Sequence, residues 1–451
     1  MSERARQFAV PAYVLLCLLL GGSTQGILGN LLLQLGAIAL LAWAALTRRP
    51  SVLTDDARAL GWLSAAAVCL VAVQLLPLPP AMWTMLPGRE SIAQGYASLG
   101  QELPWLPWSL APYDTLASGL SLLPPLAVVA GIVRLGAHRG RYLAMAIVVG
   151  TVAGILLGAV QVSSRWGYLY SFTSRGQAAG FFNNANYMGT LLLTAIPFTL
   201  ALLARYRAGG GQAWRKRFGV YGLIAGAFAL LLLGLALNRS MAAMLLSVPT
   251  LLASAALLVA PGSRARLALA GVALVTGAVG CIAIASTTAL VRGEAAVSVS
   301  TRQDIYARSA QIAGDMFPAG AGLGAFPRVY PWYENPDIVD FVYVNHVHND
   351  YLELVLEAGL PGALLLLAAL FWWVRRSVQV WRSPVSGRFA QAATIASAAI
   401  LAHSAVDFPI RTAAIAAVFA TLIALMAEPR VRRTPEPEGV RTRPARHLSL
   451  D

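Results

Sequence analysis

Residues 219–237 read Gly-Val-Tyr-Gly-Leu-Ile-Ala-Gly-Ala-Phe-Ala-Leu-Leu-Leu-Leu-Gly-Leu-Ala-Leu, a run without a charge, followed by Asn238-Arg239-Ser240 and then by a second apolar run over 242–260. A helix of that length covers about 30 Å, the thickness of the hydrocarbon core of a bilayer. So little chain separates the two runs that they predict a helical hairpin crossing a membrane and returning. Apolar runs recur along the whole chain, near 8–22, 27–46, 59–79, 114–134, 142–162, 183–204, 219–237, 242–260, 267–290, 351–374, 389–406 and 412–427. Hydrophobic residues make up 57% of the 451 and charged residues 12%, against about 25% charged in soluble globular proteins. A soluble protein is excluded, and the expected fold is an all-α polytopic membrane protein with about 12 transmembrane helices.

Charge placement orients these spans. The chain holds 34 basic residues, all arginine except Lys216, and 20 acidic ones, for a net charge of +14. With the N-terminus inside, 25 of the bases fall on cytoplasmic segments and nine outside, as the positive-inside rule requires. The excess charge thus reports topology, and no nucleic-acid partner is expected. Both termini are expected in the cytoplasm. The first span has the basic start and short apolar stretch of a signal peptide, but no small-x-small cleavage site follows, so it is read as retained. Cys17, Cys69 and Cys281 lie within apolar runs, which argues against a disulfide framework or a cysteine metal site.

The expected organisation is 1–150, N-terminal transmembrane helices; 151–290, further spans with short outer loops; 291–350, an outer cap; 351–427, the last three spans; and 428–451, a disordered Arg/Pro-rich tail. Residues 80–113, with Trp83, Trp105 and Trp108, are expected to lie among head groups as an aromatic belt. Within the cap, Ile305, Ser309, Ile312 and Met316 form one stripe of an amphipathic helix expected to lie on the membrane. Gly320 to Gly324 read as a flexible turn rather than a dinucleotide fingerprint, because they follow a helix and not a strand.

Ionisable groups near a bilayer call for a reason, and they gather on the outer face. In Asn345-His346-Val347-His348-Asn349-Asp350-Tyr351-Leu352-Glu353, a helix starting at Asn349 or Asp350 places Asp350, Glu353 and Glu357 on one face with both histidines just above it. Histidine is suited to accept a proton near neutral pH. The plain alternative is that His346 and His348 satisfy loop hydrogen bonds while the acids pair with arginines. His-x-His beside carboxylates also fits a zinc or manganese site, although no His-Glu-x-x-His signature is present, and no metal or other cofactor is expected. Arg239, in the tight 238–240 turn, is the leading candidate for a buried phosphate ligand, since guanidinium forks onto phosphate oxygens. Arg302, Arg328 and Arg411 are further candidates, each with snorkelling or ion pairing as the alternative. Asn183, Asn184 and Asn186 can bind sugar hydroxyls or cap the sixth span, and His403 reads as a packing residue.

His348-Asn349, nine residues, Gly359, two residues and Gly362 together resemble the signature of bacterial O-antigen ligases and the related O-antigen polymerases. Gly180 to Asn186, Asn238-Arg239-Ser240, Thr301 through Phe326 and His403-Ser-Ala-Val-Asp407-Phe-Pro resemble further blocks of that family, in family order over roughly 160–425. The resemblance implies a GT-C-like glycosyltransferase of the bacterial inner membrane, its 291–350 cap periplasmic, that moves a glycan from undecaprenyl diphosphate to a periplasmic acceptor without a metal. It implies His348 as base, oriented by Glu353 or Asp350, and Arg239 as principal diphosphate ligand. Arg302, Arg328, Arg411, Asn183, Asn186, His346, Asn349 and Asp350 are then expected to bind substrate. Lipid A-core and a growing surface polysaccharide are the expected acceptors, with a polymerase or a protein O-oligosaccharyltransferase as alternatives. The family's residue after the second glycine is often small or polar where this chain has Ala363, and the motif does not separate these acceptors. From another class, a small-anion carrier such as a bicarbonate transporter also has twelve spans with both termini inside. It would be expected to keep its binding groups near the midplane.

Overall fold

A computed structural model describes residues 3–24, 26–47, 53–136, 139–173, 175–208, 214–260, 262–286, 294–334, 344–383 and 386–427. The expected tail 428–451 and parts of the expected cap lie outside these.

The chain folds as helices α1 (Glu3–Leu20), α2 (Ile27–Leu46), α3 (Asp55–Gln74), α4 (Pro80–Trp83), α5 (Glu90–Ser98), α6 (Pro112–Ser121), α7 (Leu123–Ala130), α8 (Gly140–Ser164), α9 (Ala185–Ala208), α10 (Trp214–Asn238), α11 (Met241–Ala255), α12 (Arg264–Ser286), α13 (Glu294–Asp315), α14 (Phe326–Val329), α15 (Asp350–Arg382), α16 (Arg388–Ser404) and α17 (Ala413–Met426). Among the described residues, seven stretches are helices long and apolar enough to cross a membrane: 27–46, 55–74, 112–135, 140–164, 185–207, 218–238 and 350–382. Large apolar side chains on them face outward, among them Trp62 at 76% and Leu223 at 75% exposure. That is the surface of a protein solvated by lipid rather than water. The chain is a mostly helical, multi-pass membrane protein.

At the centre stands α9. Its residues Leu191 to Leu193, Ala195, Ile196 and Phe198 are fully buried in a core shared with α1, α8, α16 and α17. The 238–240 turn forms as the sequence leads one to expect. Arg239 takes a left-handed φ of 57°, and the Ser240 hydroxyl accepts from Ala243 N at the start of α11. Asn238 is buried and donates to the carbonyls of Ala178 at 2.9 Å and Ala185 at 2.7 Å.

A second core lies at one end of the bundle. Ile305, Ile312 and Met316 pack there with Phe326, Val329, Val347 and Leu356. The expected amphipathic stripe is thus present, but the protein's own loops cover it in place of the membrane. The sequence shows that a face is apolar and not what covers it. The aromatic belt is corrected at Trp83: residues 77–78 and 106–107 pair as a short antiparallel β1–β2 bridge, Trp83 is 1% exposed and donates to Pro104 O, while Trp108 donates to Ala319 O. Of the three, Trp105 is the exposed one. Arg89 ties this segment to the 320 turn, donating to Pro87 O, Trp108 O and Gly320 O, and its burial lowers the guanidinium pKa to about 10.

The Gly320 turn is anchored, and α15 explains why. Gly359 breaks that helix at φ 56°, ψ −144°, and Pro361 has no N–H to return to Glu357 O. Leu360 N donates instead to Pro318 O. The two carbonyls released, Leu356 O and Glu357 O, accept from Ala321 N at 3.0 Å and Gly322 N at 2.8 Å, and Gln74 Nε2 adds a further bond to Glu357 O. A Cβ on Gly320 would stand 2.6 Å from Glu357 O, so close approach of the two backbones requires glycine there.

Candidate active site

Four elements meet where α15 begins. Asn349 is the helix cap, its side-chain oxygen accepting from Tyr351 N at 3.0 Å and Leu352 N at 3.1 Å, which occupies the acceptor expected for substrate. The three acids that follow share one face, as their spacing predicts, and that face is filled by Arg411 from the 409–411 turn before α17. Arg411 approaches Asp350 at 3.5 Å, Glu353 at 3.2 Å and Glu357 at 3.3 Å. Burial opposes a charge on Arg411, yet the three carboxylates outweigh it and raise its pKa above the ordinary arginine value. Arg411 therefore neutralises a buried carboxylate row. Glu357 also accepts from Phe326 N, joining this row to the second core.

The two histidines above take different partners. His346 Nδ1 lies 2.7 Å from Glu353 Oε1, whose other oxygen accepts from Val347 N at 2.9 Å. His348 has a left-handed φ of 59°, which turns its ring toward the α16–α17 connection, where Nδ1 stands 3.4 Å from Asp407 Oδ1. Asp407, not Glu353 or Asp350, is thus the carboxylate beside His348, a correction that follows from this local reversal of the chain. Phe408 separates the rings, its centroid 4.1 Å from His346 and 4.9 Å from His348. Asp407 is 1% exposed, whereas the His348 side chain is 24% exposed, so a buried acid stands behind an accessible imidazole. Burial raises the Asp407 pKa, but the His348 imidazole, His403 and the Arg302 charge prevail and hold it well below the carboxylate range. Tyr306 from α13 donates to His348 O at 2.8 Å, fixing the backbone of the strained residue.

Asn186 joins this cluster, donating to Asp407 Oδ2 at 2.5 Å. Asn184 caps locally, accepting from Asn186 N, and Asn183 holds Gly22 O through its backbone N–H while its side-chain oxygen is buried without a partner among the described residues. His403 is buried in packing as expected, with Thr190 Oγ1 at 2.8 Å. Arg302 acts electrostatically on Asp407. Arg328, by contrast, pairs with Asp114 at 3.1 Å on an exposed surface. Arg239 is exposed and has no ion pair among the described residues. Its turn sits against the same helix as Asn186, since a Cβ on Gly189 would meet Asn238 Oδ1 at 3.0 Å and Ser240 Cβ at 3.4 Å.

Two residues here escaped the sequence reading. Asp407 had a signal in its turn beside Arg411 but no assigned partner. Gln161 had none: buried in α8, it accepts from Ala179 N and Gly180 N and donates to Gly180 O, shaping the loop that delivers Asn186.

Together the arrangement sets an accessible imidazole before a buried carboxylate, with amide and cationic side chains around it, at one end of a membrane bundle. Among the described residues no three His, Cys, Asp or Glu side chains are set to hold a metal ion. No curated protein matches the chain. Residues 226–367, which include Arg239, Arg302, the anchored glycine turn and the His348 to Gly359 segment, match the family model described as O-antigen ligase.

Proposed function

We propose that the protein is a membrane glycosyltransferase that transfers a glycan from undecaprenyl diphosphate to a hydroxyl-bearing acceptor on the periplasmic side. The observation that carries this reading is the accessible His348 imidazole held against buried Asp407. The acceptor oxygen attacks the anomeric carbon and forms the new glycosidic bond. The bond from that carbon to the phosphate oxygen breaks, its electron pair leaves with undecaprenyl diphosphate, and the hydroxyl proton passes to His348. Asp407 then stabilises the imidazolium, the usual role of an acid behind a catalytic histidine. Arg239 and Arg302 supply positive charge to the diphosphate as the bond breaks, a role in which no metal is required. Direct displacement inverts the anomeric configuration. The twelve-span topology and the 291–350 cap belong to this proposal, with the His348 end of α15 facing the periplasm.

The test is transfer by purified protein in proteoliposomes, with undecaprenyl-diphosphate-linked oligosaccharide as donor and lipid A-core, further donor or a protein as competing acceptors. Wild type should transfer in EDTA. His348→Asn should not, although asparagine tolerates the left-handed backbone better than most residues. Transfer by His348→Asn at the wild-type rate would remove the base. The acceptor that is used separates a ligase from a polymerase or a protein glycosyltransferase.

A further inference from the structure

At the end of α15 remote from His348, some 33 residues along and about 50 Å of helix away, lies a cationic corner that the transfer reading does not use. The start of α12, the end of α15 and the start of α16 meet there. Arg266 is 7% exposed, and its guanidinium carbon lies 4.6 Å over the ring of Trp381. Trp381 is itself fixed by donating to Thr394 Oγ1 at 2.7 Å. Nε and Nη2 of Arg266 are buried and have no hydrogen-bond partner among the described residues. Among the described residues the charge acting on them is that of a second cation, Arg388, whose Nη1 reaches Gln391 Oε1 at 3.3 Å. Close by in sequence, Ser386 Oγ is likewise buried and unpartnered among the described residues.

A buried cation facing another cation with its donors unmet is costly, and an anion between them removes the cost. Guanidinium groups match phosphate oxygens in particular. The two helices that begin here, α12 and α16, add the positive ends of their dipoles. At the rim of a membrane bundle the phosphate within reach is that of a lipid, and basic pockets between helices hold such head groups. We infer that the corner formed by Arg266, Trp381 and Arg388 binds the phosphate of an anionic lipid head group on the membrane face opposite His348.

The experiment uses delipidated full-length protein in neutral detergent, titrated with phosphatidylglycerol, phosphatidylcholine or inorganic phosphate, with bound lipid read by native mass spectrometry. Wild type should retain phosphatidylglycerol over phosphatidylcholine, and Arg266→Gln should weaken that retention about tenfold or more, the loss of roughly one charge-assisted contact. Arg388→Gln, at a partly exposed position, should weaken it similarly and carries the test if the Arg266 variant does not fold. Equal retention by wild type and a folded variant would overturn the site. Competition by inorganic phosphate as strong as by phosphatidylglycerol would overturn the lipid as its source.

Discussion

Asp407→Asn removes one charge and little else. In the native turn Oδ1 accepts from Phe408 N at 2.9 Å and Oδ2 from Asn186 at 2.5 Å. A carboxamide keeps the first bond through its oxygen and the second if the Asn186 amide flips to present its own oxygen, so the fold is expected to persist. What disappears is the counter-charge 3.4 Å from His348 Nδ1. Two unit charges at that distance interact by about 5 kcal/mol at an effective dielectric of about 20 and by about 1.2 kcal/mol in bulk water. Because the His348 side chain is 24% exposed, solvent screens the pair and the expected cost lies between these limits, near 2.7 kcal/mol, or about 100-fold in kcat. The assay is steady-state transfer in proteoliposomes, with thermal unfolding as a check on folding. Asp407 is buried behind the imidazole, so the loss belongs in kcat, with the donor KM nearly unchanged. A folded Asp407→Asn variant losing less than about eightfold, the bulk-water limit, or losing activity wholly through KM, would refute the counter-charge role.

Asp407 also makes stability depend on pH. Its folded pKa is depressed, so its contribution is complete above the unfolded carboxyl value near 3.9 and is lost as pH falls from there toward the folded value. The difference in Tm between wild type and Asp407→Asn should therefore shrink between about pH 5 and about pH 3, and a constant difference would contradict the assignment. Arg411→Ala leaves three buried carboxylates without their cation and should cost about 3–5 kcal/mol, measured by thermal unfolding in detergent; an unchanged Tm would show that the row is neutralised by other means. Gly359→Ala places a side chain at φ 56° with its Cβ against Pro318 O, for an expected loss of at least about 1–3 kcal/mol and reduced yield of folded protein. Arg239→Lys should lose most turnover because ammonium cannot fork onto the diphosphate, and wild-type turnover would exclude that fork.

Much of the site was legible because the relevant geometry is local. The spacing of Asp350, Glu353 and Glu357 fixes a helical face whatever surrounds it, and the 238–240 turn is so short that its shape follows from the two helices it joins. Partner choice was not legible. The carboxylate beside His348 comes from beyond two further helices, and the His-x-His spacing does not reveal that a left-handed residue sends the two rings to different acids. The stripe from Ile305 to Met316 showed a face to be buried without showing whether lipid or protein buries it. Trp83 was misplaced for the same reason: a tryptophan at a membrane edge and a tryptophan in a protein interior have identical sequence signals, and the distinction lies in its burial and in Pro104 O, which accepts its N–H.

The glycines of the family-like signature find their reason in the backbone rather than in a ligand. A helix that crossed the Gly359 position unbroken would return Leu356 O to Leu360 N and leave nothing for Ala321 N, whereas Glu357 O is left open by Pro361 in either case. The break and the proline together free both carbonyls where the 318–324 turn arrives, and glycine at 320 and 359 lets the two chains touch. On the N-terminal side of the break lie the three acids that hold Arg411. Beyond Arg411's turn, Asp407 stands behind His348, and from the glycine turn's own side Phe326 N reaches Glu357 Oε1. One irregularity in α15 therefore fixes both the 318–324 turn and the acid row to the same short helical segment. That arrangement explains how an imidazole carried on a loop can keep a set distance from a carboxylate on another connection: both are referred to the nine residues between Asp350 and Ala358, whose position is held by hydrogen bonds on one side and by a buried guanidinium on the other.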